Sequence, residues 1–186
     1  EDEFLTTAIV DEDSEGITVR GAKMLGTSSI MANDVLVANI QPLVEGEEKY
    51  AISFAVGLGT RGIKIMSRKS YEENAVSQFD NPLSSQFDEN DALIYFDDVK
   101  VPWDRVFLNG EVEMAGPLAK TFVEYHRFTA VSYKLPLVDL FVGASHLMAE
   151  YNGILRANHV RDKLAQLISY AQVLRSMTRE AARECR

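Results

Sequence analysis

Between an alternating apolar segment and the next strand-like run lies the turn Gly26-Thr27-Ser28-Ser29. Consecutive hydroxyls on a loop at a sheet edge can hydrogen-bond a cofactor ring or a phosphate, and glycine lets the backbone approach a ligand closely. An ordinary polar loop accounts for the same residues. A second block, Pro82 to Phe107, carries Asp88, Glu89, Asp91, Asp97 and Asp98. These carboxylates alternate with apolar positions and read as solvent-facing, so no metal is assigned to them. The one cysteine, Cys185, excludes an internal disulfide and a multi-cysteine metal site built by this chain alone. Of three histidines, His126 lies among apolar neighbours at helical spacing, where a structural role and a proton-handling role are both open. For His146 and His159 a core or cap role suffices.

The elements that must position these residues divide near residue 113. Before it, apolar residues alternate or form short β-branched runs at Thr6 to Val10, Ile17 to Val19, Val35 to Ile40, Tyr50 to Val56, Ile63 to Met66 and Ala92 to Phe96. Turn chemistry such as Asp13-Ser14-Glu15-Gly16, Gly57-Leu58-Gly59 and Asn81-Pro82 punctuates them. The expected architecture is α+β, with a β-barrel-like antiparallel domain over 1–112 and part of a helical domain over 113–186. In the second half, Gly116-Pro117 opens a helix whose Leu118, Phe122, Tyr125 and Thr129 share a face. Pro136 should break or kink it around Tyr133 to Leu135, because proline lacks the donor and clashes with the carbonyl of Ser132. Val138, Phe141, Val142, Ser145 and Met148 continue a buried stripe up to a glycine cap at Asn152-Gly153. A third helix over about 159–184 presents Leu164, Leu167, Ile168, Ala171 and Leu174, and its length points to packing on further helices or another subunit.

Acidic residues outnumber basic ones 28 to 19, a net charge of -9, which argues against a nucleic-acid or anionic-membrane surface. Seven acidic residues fall within 1–16, whereas 156–186 holds seven Arg or Lys against three Asp or Glu. No apolar run approaches the roughly 20 residues of a membrane span and the start is not a basic signal peptide, so a cytoplasmic protein is expected. The lack of an initiator Met ahead of an early strand suggests a piece of a longer protein.

Gly21-Ala22-Lys23 followed by Thr27, and Ser84-Ser85 followed by Phe96-Asp97-Asp98-Val99-Lys100-Val101-Pro102, resemble the middle β-domain of acyl-CoA dehydrogenase-like flavoproteins. Together with Phe87-Asp88-Glu89 and Val101-Pro102-Trp103 ahead of Arg105-Val106-Phe107, they resemble the 4-hydroxyphenylacetate 3-hydroxylase family, which also contains 4-hydroxybutyryl-CoA dehydratase and vinylacetyl-CoA isomerase. The resemblance runs from about Glu15 to the end. It implies an N-terminal helical domain, absent here, then a β-domain and a C-terminal antiparallel helical bundle.

By resemblance, Thr27 hydrogen-bonds a flavin ring near its reactive nitrogen, with Ser28 and Ser29 beside it and Ser84 and Ser85 on a loop near the cleft. His126 then takes a cleft position, donating or accepting a proton, and Lys134 offers positive charge to an anionic intermediate. In the dehydratase branch a histidine and, seven residues later, a cysteine bind an iron–sulfur cluster. Here those positions are His126 and Tyr133, and a neutral tyrosine does not replace a thiolate. The leading implied function is the FAD-dependent oxygenase component of a two-component monooxygenase. Its partners would be a flavin reductase supplying reduced FAD, a small aromatic substrate and O2, and it would form a homodimer or homotetramer. A dehydratase or isomerase relative and a non-catalytic assembly module are the alternatives.

Overall fold

Period-two patterning in the first half folds into seven strands, and the computed structural model describes residues 4–185. The strands are β1 (Ala8–Glu12), β2 (Gly16–Lys23), β3 (Asp34–Ala38), β4 (Ile52–Gly57), β5 (Ile63–Ser67), β6 (Ala92–Pro102) and β7 (Val106–Asn109). Two antiparallel sheets result, ordered β1-β2-β6-β5 and β3-β4-β7. Their inner faces share one core of Ile17, Val19, Val37, Ile52, Phe54, Val56, Ile94, Phe96, Val99 and Val101. Phe54 and Phe96 meet edge to face at 5.7 Å and 83° across it, the arrangement that the ring quadrupoles favour. The barrel-like expectation is corrected: among the described residues the edge strands of one sheet do not pair with those of the other, so side-chain packing joins the sheets and no continuous hydrogen-bonded wall closes them.

Strand β6 runs six residues past the expected end at Phe96. Ala92, Ile94 and Phe96 face the core on even positions, then Val99 and Val101 do so on odd ones. The phase changes at a bulge, where Val19 pairs with Val99 but Gly21 pairs with Phe96. Asp98 takes a left-handed φ of 51° there, a conformation that Asp tolerates better than most residues. Arg20 then grips Asp98 with Nε to Oδ1 and Nη2 to Oδ2, each 2.7 Å. Strand β7 was not expected, since its four residues follow directly on the turn Trp103–Arg105 with no alternation long enough to read.

Two helices replace the expected three: α1 (Val112–Tyr151, 40 residues) and α2 (Asn158–Glu184, 27 residues). Pro117 lies inside α1 instead of at its start, and no break occurs at Pro136. A proline removes one donor from the ladder, and the turns on both sides retain theirs, so the cost of roughly 3 kcal/mol leaves the helix intact. Next to this point the Ser132 hydroxyl donates to the Phe128 carbonyl at 2.8 Å. The end of α1 is the expected glycine cap: Gly153 has φ 67°, its N–H donates to Glu150 O at 2.9 Å, and Ile154 N–H donates to Ala149 O at 3.0 Å.

Residues 1–120 and 121–186 form two compact units. In the second, Arg175 Nη2 holds both Asp139 oxygens at 2.6 and 2.7 Å, and Leu164, Leu167, Ala171 and Leu174 are the less exposed side of α2. The expected buried stripe of α1 is only partly covered: Val138, Val142 and Ser145 are half-buried, while Phe141 and Met148 are 54% and 66% exposed. No helix among the described residues is long and apolar enough to cross a membrane.

Candidate functional site

The turn after β2 is shaped by its own hydrogen bonds. Leu25 and Ser28 adopt left-handed φ values of 59° and 60°, each costing roughly 1–2 kcal/mol for a residue with a Cβ. Offsetting this, Gly26 N–H donates to Ala92 O at 2.9 Å and Ser28 N–H to Asn90 O at 2.8 Å, which lays the turn along the chain leading into β6. A Cβ on Gly26 would sit 3.1 Å from Ile94 Cδ1 and 3.2 Å from Ala92 O. The close approach that this glycine permits is therefore to β6.

The three hydroxyls of the turn part company. Ser29 is buried and its Oγ donates to Gly26 O at 2.6 Å, closing the turn internally. Thr27 is exposed and its Oγ1 meets Asp91 Oδ1 at 2.5 Å, while Ser28 Oγ meets Glu89 Oε1 at 3.1 Å.

Those carboxylates belong to the connection between β5 and β6, which Arg68 organises. Arg68 Nη2 reaches Asp88 Oδ1 at 2.5 Å and Nη1 reaches Oδ2 at 3.2 Å, while Nε faces Asp91 Oδ2 at 3.8 Å. Its guanidinium lies 4.0 Å over the Tyr71 ring, and Tyr71 N–H donates to Asp88 Oδ2 at 3.0 Å. Arg68's hydrogen bonds first, and the Tyr71 N–H second, hold the Asp88 carboxyl down to about 2. The reading of this acidic block as solvent-facing is corrected at Asp88, whose side chain is 15% exposed. Ser84 and Ser85 stand half-buried on the same connection. Among the described residues, buried Arg68 Nε, Ser85 Oγ and Asn90 Oδ1 lack a hydrogen-bond partner. Those three atoms are closed to solvent, so what the region presents at its surface is the exposed Thr27 side chain with the half-buried Ser28 and Ser84 beside it on the two segments, hydroxyls of the kind that hydrogen-bond the polar edge of a flavin.

His126 and Lys134 lie in the second unit, on α1. Both are exposed, and the His126 ring stacks on Phe122 at 5.5 Å and 7°. Eight residues of helix separate them, about 12 Å of rise, so they do not converge on one atom. Tyr133 is 62% exposed.

A further buried polar group has no counterpart among the residues expected from sequence. Asn39, 3% exposed, donates Nδ2 to Thr7 O at 2.9 Å and Tyr50 O at 2.6 Å. Its Oδ1 accepts from Thr6 Oγ1 at 3.1 Å and from Lys23 Nζ. Burial among neutral oxygens lowers the Lys23 ammonium to about 8. The sequence signal was slight: a lysine in a strand whose neighbours alternate. Arg68 and Asp88 had none, because 20 residues separate them.

Residues 1–108 match the family model described as 4-hydroxyphenylacetate 3-hydroxylase N terminal, and residues 115–186 the one described as 4-hydroxyphenylacetate 3-hydroxylase C terminal. The chain is 35% identical over 187 residues to the 4-hydroxyphenylacetate 3-monooxygenase oxygenase component of Thermus thermophilus, covering 100% of this chain and 38% of that protein. It is 35% identical over 179 residues to the 4-hydroxybutyryl-CoA dehydratase/vinylacetyl-CoA-Delta-isomerase of Clostridium aminobutyricum, covering 93% and 36%. A crystal structure of the oxygenase component of 4-hydroxyphenylacetate 3-monooxygenase, complexed with FAD and 4-hydroxyphenylacetate, superposes with a TM-score of 0.87 at 35% identity, covering 98% of this chain and 38% of that one. An acyl-CoA dehydrogenase from Geobacillus kaustophilus shares the fold, with a TM-score of 0.70 at 16% identity, covering 96% of this chain and 45% of that one. The chain spans less than two fifths of the length of the two relatives it matches. With both family models matched in order along a two-sheet unit and a helical one, the chain belongs to the 4-hydroxyphenylacetate 3-hydroxylase family.

Proposed function

We propose that this chain is the flavin-facing β-region (1–112) and part of the helical region (113–186) of the FAD-dependent oxygenase component of a two-component phenol hydroxylase. The observation that carries the reading is the match along the whole chain to the Thermus thermophilus oxygenase component. The exposed Thr27 hydroxyl on a backbone-anchored turn supports it. When bound, reduced FAD supplies the oxygen chemistry that hydroxylates a phenol ortho to its hydroxyl group.

The chain's own contribution is positional and electrostatic. Thr27 hydrogen-bonds the ring edge, with Ser28 beside it, and Ser84 and Ser85 offer hydroxyls to the cofactor. Ser29, also expected to bind cofactor, shapes the turn that presents Thr27. His126 holds or moves a proton at a substrate or flavin oxygen, and Lys134, two helical turns further along, offers positive charge to an anionic intermediate. The partners are a small aromatic substrate, O2, a flavin reductase and further copies of the chain in a dimer or tetramer. The open apolar side chains of α1 support that assembly, and the compartment is the cytoplasm.

The test uses the full-length protein, reduced FAD supplied chemically under anaerobic conditions, then O2 and 4-hydroxyphenylacetate. The expected product is the catechol, with Thr27→Val weakening FAD retention by the worth of one hydrogen bond, about 1 kcal/mol. No hydroxylation of any phenol offered, together with stoichiometric iron–sulfur uptake on anaerobic reconstitution, would move the 35% identical dehydratase to first place. A colourless protein that takes up neither flavin nor cluster would point to an assembly module.

A further inference from the structure

We propose that Asp91 is a positioning residue that turns the Thr27 hydroxyl into a hydrogen-bond acceptor, so that the turn favours a ligand presenting an N–H, the reduced flavin, over one presenting a bare ring nitrogen. The proposal rests on the reading that Thr27 faces the flavin ring, and it adds which redox form that contact selects.

A threonine hydroxyl has one hydrogen to give and two lone pairs to offer, whereas an ionised carboxylate can only accept. The 2.5 Å contact between Thr27 Oγ1 and Asp91 Oδ1 therefore commits the hydroxyl hydrogen to Asp91, at a length typical of a charge-assisted O–H···O bond. What Thr27 has left for a ligand is lone pairs. Ser28 repeats the pattern, its hydroxyl meeting Glu89 Oε1 at 3.1 Å. Two neighbouring hydroxyls thus donate to carboxylates two residues apart.

The backbone keeps this pairing in register. Gly26 N–H to Ala92 O at 2.9 Å and Ser28 N–H to Asn90 O at 2.8 Å bracket Thr27 and Asp91 from both sides. The Arg68 backbone N–H donates to Asp91 O at 3.0 Å, which fixes the Asp91 main chain, and Arg68 Nε faces Asp91 Oδ2 as an ion pair at 3.8 Å, which favours that orientation of the carboxylate. Oxidised isoalloxazine carries a bare nitrogen at its reactive centre and reduced isoalloxazine an N–H. The reduced ring can donate to Thr27 as it stands. The oxidised ring requires Thr27 to withdraw its hydrogen from Asp91 and leave a carboxylate oxygen without its donor, which is unfavourable.

The experiment measures dissociation constants of oxidised FAD and, anaerobically, of reduced FAD for full-length protein, together with the midpoint potential of the bound flavin. Wild type should bind the reduced form more tightly. Asp91→Ala frees the hydroxyl to donate and should cut the reduced-over-oxidised preference about tenfold, lowering the bound potential by about 30 mV for a two-electron couple. In a Thr27→Val background the Asp91 change should leave the preference unmoved. If Asp91→Ala folds poorly, Asp91→Glu, which keeps an acceptor-only side chain, should retain most of the preference and serves as the second variant. Equal weakening of both redox forms by Asp91→Ala, with no change in potential, would assign Asp91 a merely structural role and overturn the proposal. If Thr27→Val leaves both affinities and the potential unchanged, the placement of Thr27 at the flavin fails, and this proposal with it.

Discussion

Arg68 and Asp88 face each other fork to fork, Nη2 to Oδ1 at 2.5 Å and Nη1 to Oδ2 at 3.2 Å, with side chains 27% and 15% exposed. The pair ties the end of β5 to the segment entering β6, and through Asp91 it bears on the turn that carries Thr27.

Acid should loosen this connection in a defined window. Asp88 is held down to about 2 by Arg68 first and the Tyr71 N–H second, from an ordinary value of 3.8. A depressed carboxyl contributes stability that is complete above its unfolded value and is lost as pH falls through the folded one. Amide protection over residues 68–91, taken relative to the intrinsic exchange rate at each pH, is therefore expected to be steady from pH 7 to about 4 and to fall between about 4 and 2. In Asp88→Asn protection should be low throughout. Protection in that variant equal to wild type at pH 7 would remove the pair as the organiser.

Lys23 predicts a slope of the same sign in an alkaline window. Its ammonium is lowered from 10.5 to about 8 by burial, so between those values the unfolded chain binds a proton that the folded chain does not. Stability from this group then rises with pH from about 8 to 10.5 and is flat below 8. Thermal unfolding of wild type and Lys23→Met across pH 7 to 10.5 should show the two curves changing relative to each other only above about 8.

Asn39 closes a four-way junction among Thr7 O, Tyr50 O, Thr6 Oγ1 and Lys23 Nζ. Replacing it with Leu leaves two carbonyls and an amine without that partner in a buried place. The expected loss is about 2–4 kcal/mol, read from the urea midpoint at unchanged m-value. A loss under about 0.5 kcal/mol would show that water replaces the amide without penalty.

Gly21 sits at the β2 bulge with φ 129°, where a Cβ would lie 2.2 Å from the Thr6 carbonyl oxygen. Gly21→Ala should cost about 2 kcal/mol or more, because neither backbone can move without breaking the pairing of β1 with β2. Urea unfolding checks the size, and amide exchange in Ala8–Glu12 checks the place.

Much of the fold was legible because its causes are local. Period-two alternation marks Ile52–Gly57 and Ile63–Ser67 as strands from a few neighbouring side chains, and Asn152-Gly153 stops a helix through a conformation that glycine alone adopts freely. Thr27, Ser28 and Ser29 were visible as a hydroxyl turn for the same reason. Their different fates were not, since Thr27 and Ser28 donate to Asp91 and Glu89 on a segment about sixty residues further along the chain, while Ser29 turns back to Gly26 within the turn. The continuation of β6 past Phe96 needed the bulge opposite Gly21 to reset which side faces inward, and only pairing with β2 creates that bulge. The uninterrupted α1 shows the same limit from the other side, because Pro136 supplies a local reason to stop while the hydrogen-bonded turns around it outweigh one missing donor. Sequence by itself determined the strands β1 to β5, the first half of β6, the turns and the hydroxyl loop, where the deciding forces act between near neighbours. The tertiary structure decided the two open sheets, the Arg68–Asp88 clamp and the directions of the Thr27 and Ser28 hydroxyls, because those follow from groups that meet only once the chain has folded.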